Sequence, residues 1–99
     1  MSKAIENLSD VFAALGQVTR LEIVRLLAPL SRGKVATGLA AGQIAAALAV
    51  APPTLSFHLK DMTLRHLLIQ KRKGREIFYM VNLPLVLSVL GDFVTELEV

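Results

Sequence analysis

Two adjacent prolines, Pro52 and Pro53, divide the apolar middle of this chain into two helices. Proline suits the first turn of a helix, where its missing N–H has no intrahelical acceptor, and it breaks a helix interior. The alanine-rich helix at 40–48 therefore ends before the prolines, and a second helix begins at them. An apolar stripe at the spacing i, i+4, i+7 supports the second helix, with Leu55, Leu59 and Met62. A short helix, a tight turn and a longer helix make a helix-turn-helix.

The same region is long enough to raise the question of a membrane span. Residues 35–59 carry no formal charge and exceed the roughly 20 apolar residues of a transmembrane helix. However, Gln43, the two prolines and His58 interrupt the stretch, and alanine dominates its first half. The N-terminus contains Glu6 and Asp10 and lacks the hydrophobic segment of a signal peptide. We therefore expect a soluble, cytoplasmic protein with no membrane partner.

Basic residues are concentrated in a predicted β-hairpin after the helix-turn-helix. Residues 67–73 and 75–82 are rich in β-branched and aromatic side chains, and Lys73-Gly74 supplies a turn between them. The hairpin tip carries four cations, Lys71, Arg72, Lys73 and Arg75. Such a cluster is the electrostatic footprint of a nucleic-acid-binding surface. A merely solvated charged face is the alternative, and charge alone would favour it.

A further helix is predicted over 19–28. Thr19 is followed three residues later by Glu22, which is the pattern of a capping box. Apolar residues then repeat at helical spacing and predict the buried stripe, with Leu21, Val24, Leu27 and Ala28.

The first and last helices carry more apolar surface than one small domain can bury. The pattern of 5–15 predicts a helix that Gly16 ends, and that of 84–99 predicts a helix that is apolar nearly all round. Such a helix must be covered on two sides, and the whole chain is 54% hydrophobic. A second copy of the chain is the simplest partner, so we predict a homodimer. The predicted interface residues are Leu8, Phe12, Leu87, Leu90, Phe93 and Val94.

Together these elements predict a mainly α (α+β) fold, a winged helix-turn-helix. About five helices and a two-stranded β-hairpin wing would form a single domain over 1–99. The chain resembles the ArsR/SmtB family of bacterial transcriptional repressors. The resemblance lies in ALGQVTRLEIVRLL (14–27), GLAAGQIAAAL (38–48), VAPPTLSFHLKDM (50–62) and KGREIFYMV (73–81). It implies a homodimeric repressor that reads an inverted-repeat operator and releases DNA when a metal, metalloid or other signal arrives.

The resemblance also implies which residues bind double-stranded DNA. It places Thr54, Ser56, Phe57, His58 and Lys60 on the recognition helix. The short hydroxyls can reach phosphates or base edges, the lysine suits phosphate or guanine, and the aromatic ring can meet a thymine methyl group. Gln43 is a predicted phosphate contact, and the wing residues Lys71, Arg72, Lys73 and Arg75 would neutralise flanking phosphates. Two interpretations of His58 stay open, a DNA contact or a half-buried histidine bonded to backbone. For His66 we expect a packed or capping role.

The chain departs from the family where a signal would be sensed. It has no cysteine, and Asp92 and Glu96 of the last helix have no histidine beside them, so no metal site is expected. The sequence around TLSFHLK resembles that of an arsenic-responsive subgroup of the family. Members of this subgroup carry a C-terminal cysteine pair, which is absent here. Either Leu97–Val99 is a natural end, or a sensing tail for arsenite has been removed. Ala49 and His66 replace family glycines, and we expect φ > 0 or an altered turn at both.

Two other functional classes compete with a repressor. The alternative is a winged-helix protein-interaction module without sequence-specific DNA binding. The four cations of the wing argue against it, because an adaptor has no need of them. For an enzyme, we find no nucleophile–base pair, phosphate-binding glycine loop or metal triad, so we expect neither an enzyme nor a cofactor.

Overall fold

The computed structural model describes residues 3–34 and 36–99, with side chains from Asn7 onward. Five α-helices and a three-stranded sheet follow one another in the order α1 (Lys3–Leu15), α2 (Val18–Leu27), a 3₁₀ turn (Ala28–Ser31), β1 (Leu39–Ala40), α3 (Ala41–Leu48), α4 (Pro52–Leu64), β2 (Leu68–Lys73), β3 (Glu76–Val81) and α5 (Leu83–Leu97). The predicted winged helix-turn-helix is confirmed. Helices α3 and α4 are its helix-turn-helix, and β2 and β3 are its wing.

The sheet has one strand more than the sequence predicted. Its antiparallel order is β1–β3–β2, so β3 is the central strand. Strand β1 is only two residues long, which is too short to show an alternating pattern in sequence. Gly38 lets β1 approach β3, because it has φ 63 and a Cβ there would overlap the carbonyl oxygen of Tyr79.

The turn of the wing lies one residue later than predicted. Lys73 and Glu76 are the last paired residues, so the two-residue turn is Gly74–Arg75 rather than Lys73-Gly74. Gly74 adopts φ 65, a conformation that glycine takes without steric cost in short hairpins.

Helix α2 differs from its prediction at its start and on its buried face. Gln17, with extended backbone, caps the helix, because its side chain accepts the Arg20 N–H at 3.0 Å. The predicted Thr19 capping box is therefore wrong. Leu21 is 46% exposed, and the inward stripe instead contains Arg20, Ile23 and Leu27.

The core lies under α4, as its stripe predicted. Leu55, Leu59 and Met62 are each at most 1% exposed. They pack with side chains from the other helices and from the sheet, among them Ile23, Leu27, Ile44, Leu67 and Val81. Because one face of α4 is buried in this way, its opposite face is fixed toward solvent.

Two residues adopt the left-handed conformation expected where the family has glycines. Ala49 has φ 53 at the end of α3, and His66 has φ 64 just after α4. Side chains other than glycine are strained there. His66 is exposed rather than packed. Its backbone N–H donates to Thr63 O, and its carbonyl oxygen accepts from Asn82 Nδ2 at 2.9 Å.

Helices α1 and α5 pack together at one end of the fold. The Phe12 and Phe93 rings meet edge to face, with centroids 5.6 Å apart and an interplanar angle of 81°. Among the described residues, no helix is both long enough and apolar enough to span a bilayer.

Candidate nucleic-acid interface

The recognition helix α4 presents a mixed polar and aromatic face to solvent. Thr54, Ser56, Phe57 and Lys60 are all exposed, and Phe57 keeps 65% of its surface accessible. The prolines begin the helix after Ala51, which offers no side-chain cap. Four of the five recognition-helix residues singled out from the sequence therefore share an accessible surface.

The fifth residue, His58, lies inside the fold. It is 8% exposed, and its Nδ1 accepts a hydrogen bond from Nε of Arg20 at 3.0 Å. Of the two interpretations, burial is correct, but the partner is a side chain rather than backbone. An Nδ1 that accepts is unprotonated, so this geometry assigns the neutral tautomer with its proton on Nε2.

Arg20 is the residue that sequence reasoning missed. Its Nη1 also donates to Oδ2 of Asp61 at 2.6 Å and to the carbonyl oxygen of Ala14 at 3.4 Å. One buried guanidinium therefore joins α1, α2 and α4. Its spacing of three from Ile23 and seven from Leu27 was the available signal, but a charged residue is rarely assigned to a buried stripe.

Asp61 accepts from two arginines at once. Besides Arg20, the Nε of Arg65 lies 3.0 Å from Oδ2, one helical turn away. Burial raises the pKa of Asp61, but the hydrogen bonds and positive charges of the two arginines outweigh it and lower the pKa below its ordinary value of 3.8. The carboxylate therefore stays ionised, which keeps the Arg20 charge compensated.

The pKa of His58 is lowered below its ordinary value of 6.5. Burial is the main cause, and the positive charge of Arg20 adds to it, while Asp61 acts in the opposite direction. The neutral imidazole that the Arg20 hydrogen bond requires is therefore the form present at neutral pH.

The four cations of the wing are all exposed. The side chains of Lys71, Arg72, Lys73 and Arg75 are all accessible, and only Leu68 of strand β2 is buried. Strand β2 contacts α4, so the basic strand of the wing lies beside the recognition helix.

Gln43 has a structural partner within its own helix. Its Oε1 accepts the backbone N–H of Ala40 at 2.9 Å and so satisfies a donor at the start of α3. The side chain is exposed, and its amide NH₂ donates no hydrogen bond within the part of the chain that the structure describes. That group could donate to a phosphate without disturbing the cap.

The predicted interface residues of α1 and α5 form a partly open apolar face. Phe12, Leu87 and Val94 are 47%, 61% and 50% exposed, whereas Leu8, Leu90 and Phe93 are half-buried. We call these six residues the α1–α5 face. Within residues 3–34 and 36–99, no three histidines or carboxylates lie close enough together to hold a metal ion.

Comparison with known proteins agrees with the winged helix-turn-helix fold. The sequence profile of the helix-turn-helix domain family matches residues 15–70. An ArsR-like transcriptional regulator from Rhodococcus sp. RHA1 shares the fold with a TM-score of 0.78 and 25% identity, over 98% of this chain and 88% of that one. No curated protein matches the sequence.

Two further solved structures share the fold at lower identity. HlyU from Vibrio cholerae has a TM-score of 0.74 at 18% identity, over 98% of this chain and 97% of its own. The homodimeric winged helix-turn-helix DNA-binding domain of Mb0332 from Mycobacterium bovis has a TM-score of 0.68 at 23% identity, over 95% and 82%.

Proposed function

Because this chain belongs to the helix-turn-helix domain family and is an ArsR-type winged helix-turn-helix regulator, we propose that it acts as a homodimeric repressor, which binds an inverted-repeat operator and releases it when an inducer arrives. In broader terms it is a DNA-binding transcriptional regulator. The observation that carries the proposal is the division of α4 into a buried apolar face and an accessible face next to a basic wing.

The proposed contacts follow from the chemistry of the exposed side chains. Thr54, Ser56, Phe57 and Lys60 would lie at the major groove. Its base edges offer acceptors and thymine methyl groups, and the phosphates beside it can accept hydrogen bonds from the hydroxyls and the lysine. The wing cations and the Gln43 amide would hold phosphates on either side. His58 would act from inside the fold, by fixing the rotation of α4 through Arg20.

A homodimer gives the apolar side chains of α1 and α5 a partner. The α1–α5 face presents Phe12, Leu87 and Val94 to solvent in the single chain. A two-fold axis through this face would place two recognition helices on successive major grooves, which is why the proposed operator is an inverted repeat.

DNA binding is tested by fluorescence anisotropy with the DNA upstream of the protein's own gene, titrated with salt. We expect tight binding that weakens steeply with salt and prefers this DNA to a random duplex of equal length. Replacing Lys71, Arg72 and Lys73 by alanine should reduce the salt slope by about 0.9 for each phosphate that is no longer neutralised. Equal affinity for random DNA would contradict the proposal of a repressor and favour the protein-interaction module.

A matched pair of variants separates the wing from general charge. Arg72→Ala and Arg25→Ala each remove one exposed positive charge, the first from the wing and the second from α2. We expect the salt slope to change by about one for Arg72→Ala and by less for Arg25→Ala. Equal changes would count against a specific role of the wing.

The dimer is tested by sedimentation velocity. Leu87→Glu combined with Val94→Glu should convert the dimer to a monomer, because each puts a charge into the α1–α5 face. Leu21→Glu, at an exposed apolar position of α2, should leave the dimer intact. Monomeric wild-type protein at micromolar concentration would contradict the proposal.

The inducer is tested by adding arsenite to the protein–operator complex. The 99-residue chain contains no cysteine, so it offers no thiolate ligand for trivalent arsenic. We therefore expect arsenite to leave the complex of this chain with its operator intact, so that the inducer of this chain belongs to another chemical class. Release of DNA by arsenite would contradict this expectation.

A further inference from the structure

A groove between the recognition helix and the sheet is lined by hydrogen-bonding groups from both elements. Helix α4 contributes Ser56, Lys60 and Thr63, and the sheet contributes Gln70 and Tyr79. The rest of the lining is apolar and comes from Ala41, Leu59 and Leu64. The groove encloses about 360 Å³, and we call it the α4–sheet groove. Because Ser56 and Lys60 are four residues apart, they lie on the same face of the helix.

The hydrogen bonds within the groove determine which groups remain for a ligand. Tyr79 and Gln70 are directly opposed on β3 and β2, and Nε2 of Gln70 donates to the Tyr79 hydroxyl oxygen at 3.4 Å. The Tyr79 O–H remains able to donate. Thr63 instead donates its hydroxyl to the carbonyl oxygen of Leu59 at 2.7 Å, so its proton is already used.

The charge of the groove favours an anion. Of the residues that the structure describes, Lys60 is the only charged one that lines it, and no carboxylate does. A second cleft, between α1, the end of α4 and the start of α5, is larger at about 590 Å³, but Asp10 lines it together with Arg65. An anion would meet a carboxylate in that cleft, whereas the α4–sheet groove offers it a lysine.

We propose that the α4–sheet groove binds one phosphate of the DNA backbone, with Lys60 as the counter-charge and the hydroxyls of Ser56 and Tyr79 as donors. This inference rests on the proposed DNA-binding function. It adds Tyr79 to the contact residues and Gln70 to the residues that support them, and the sequence pointed to neither. Gln70 acts indirectly, by orienting the Tyr79 hydroxyl. Since a phosphate is sequence-independent, the groove fixes the position of α4 on the duplex rather than its choice of bases.

The position of Tyr79 is well defined, as such a role requires. Tyr79 lies in the central strand, paired with Leu39 on one side and Gln70 on the other. Gly38 packs directly against its carbonyl oxygen. The backbone that carries the donor is therefore held by three neighbouring segments, and Gln70 contacts the hydroxyl itself.

The test measures binding of Tyr79→Phe to operator and random duplexes of equal length. Loss of one hydroxyl donor should weaken binding by about threefold to tenfold. The factor should be the same for the operator and the random duplex, because a phosphate contact is available in every sequence. The salt slope should stay unchanged for Tyr79→Phe and fall by about one for Lys60→Met. Thr63→Val is the matched control, since its hydroxyl is already bonded to Leu59, and it should bind as wild type.

A scan of single methylphosphonate substitutions then locates the phosphate. Neutralising one backbone position per half-site should weaken wild-type binding, and the same substitution should weaken Tyr79→Phe by a smaller factor. The proposed phosphate contact in the groove would be overturned, with DNA binding intact, by either of two results. One is that the effects of methylphosphonate and Tyr79→Phe are additive at every position, and the other is that Tyr79→Phe binds with wild-type affinity. If wild-type protein binds no duplex, the proposed function itself fails and the groove proposal fails with it.

Discussion

Nε of Arg20 lies 3.0 Å from Nδ1 of His58, and this hydrogen bond joins α2 to the recognition helix across 38 residues of sequence. The same guanidinium holds Asp61 one turn further along α4. Two contacts on one helix define its rotation as well as its position. The exposure of Thr54 and Phe57 is thus partly set by a residue that has no access to DNA.

Arg20→Met should destabilise the fold. It removes the donor to His58 and leaves Asp61 with Arg65 as its one ion-pair partner among the described residues. We expect the free energy of unfolding to fall by about 2–3 kcal/mol, the range for hydrogen bonds to charged groups that are partly buried. Urea denaturation monitored by circular dichroism measures this. Arg25→Met, an exposed arginine in the same helix, should change it by less than about 0.5 kcal/mol.

Acidification should destabilise the protein in two steps. His58 and Asp61 both have lower pKa values in the folded chain than their ordinary values of 6.5 and 3.8. At pH values between the folded and the ordinary pKa of each group, the unfolded chain therefore binds more protons than the folded chain. In these two pH ranges the free energy of unfolding rises with pH. The stabilisation from these two groups should be fully present above pH 6.5. The free energy of unfolding should fall as the pH drops from 6.5 toward the folded pKa of His58, and fall again below 3.8 as Asp61 is protonated.

Substitution separates the two steps. In His58→Asn the loss just below pH 6.5 should disappear, while the loss below 3.8 remains. His66→Gln, which changes an exposed histidine outside the Arg20 contacts, should keep both. Urea midpoints measured from about pH 3 to 8 distinguish the variants. An unchanged profile in His58→Asn would show that His58 is not responsible.

Gly38→Ala should separate β1 from β3. The new methyl group would overlap the carbonyl oxygen of Tyr79 and lie 2.7 Å from Cγ of Met80, at a backbone φ of 63 that alanine disfavours. We expect a loss of about 2–4 kcal/mol in the free energy of unfolding. Gly42→Ala, where a Cβ meets no atom within 4 Å, should be neutral or stabilising by up to about 1 kcal/mol. Similar losses in both variants would contradict the packing explanation.

Ala49→Gly should stabilise the protein. Ala49 has φ 53, which places its Cβ in a strained position that glycine avoids. We expect a gain of about 0.5–1 kcal/mol, seen as a higher melting temperature. Ala46→Gly, at an exposed position inside α3, should instead lose about 1 kcal/mol from helix propensity. A melting temperature of Ala49→Gly at or below that of wild type would show that the αL backbone is not strained.

Periodicity and proline positions were sufficient to predict the helices and the wing. Pro52 marks the start of α4, and Leu55, Leu59 and Met62 mark its buried face, because these features act within one element. The two replaced glycines correctly indicated positive φ at Ala49 and His66.

The errors arose where a partner from another element decides the outcome. Leu21 was predicted to be core and Arg20 was overlooked, yet the contacts of Arg20 with His58 and Asp61 place Arg20 on the buried face. Likewise, Tyr79 gains its place in the α4–sheet groove only through pairing with Leu39 and Gln70. The partners in such cross-element contacts leave no local pattern in the sequence, although the helical spacing of Arg20 from Ile23 and Leu27 was a signal for its burial.

The open α1–α5 face has a consequence for how the amount of protein relates to its effect. In the proposed homodimer, the concentration of the DNA-reading form grows with the square of the free-chain concentration when chains are scarce. A twofold change in synthesis would then change the active form by up to about fourfold. The unpaired chain, with Leu87 and Val94 open to solvent, is also the form that proteases and chaperones would meet first.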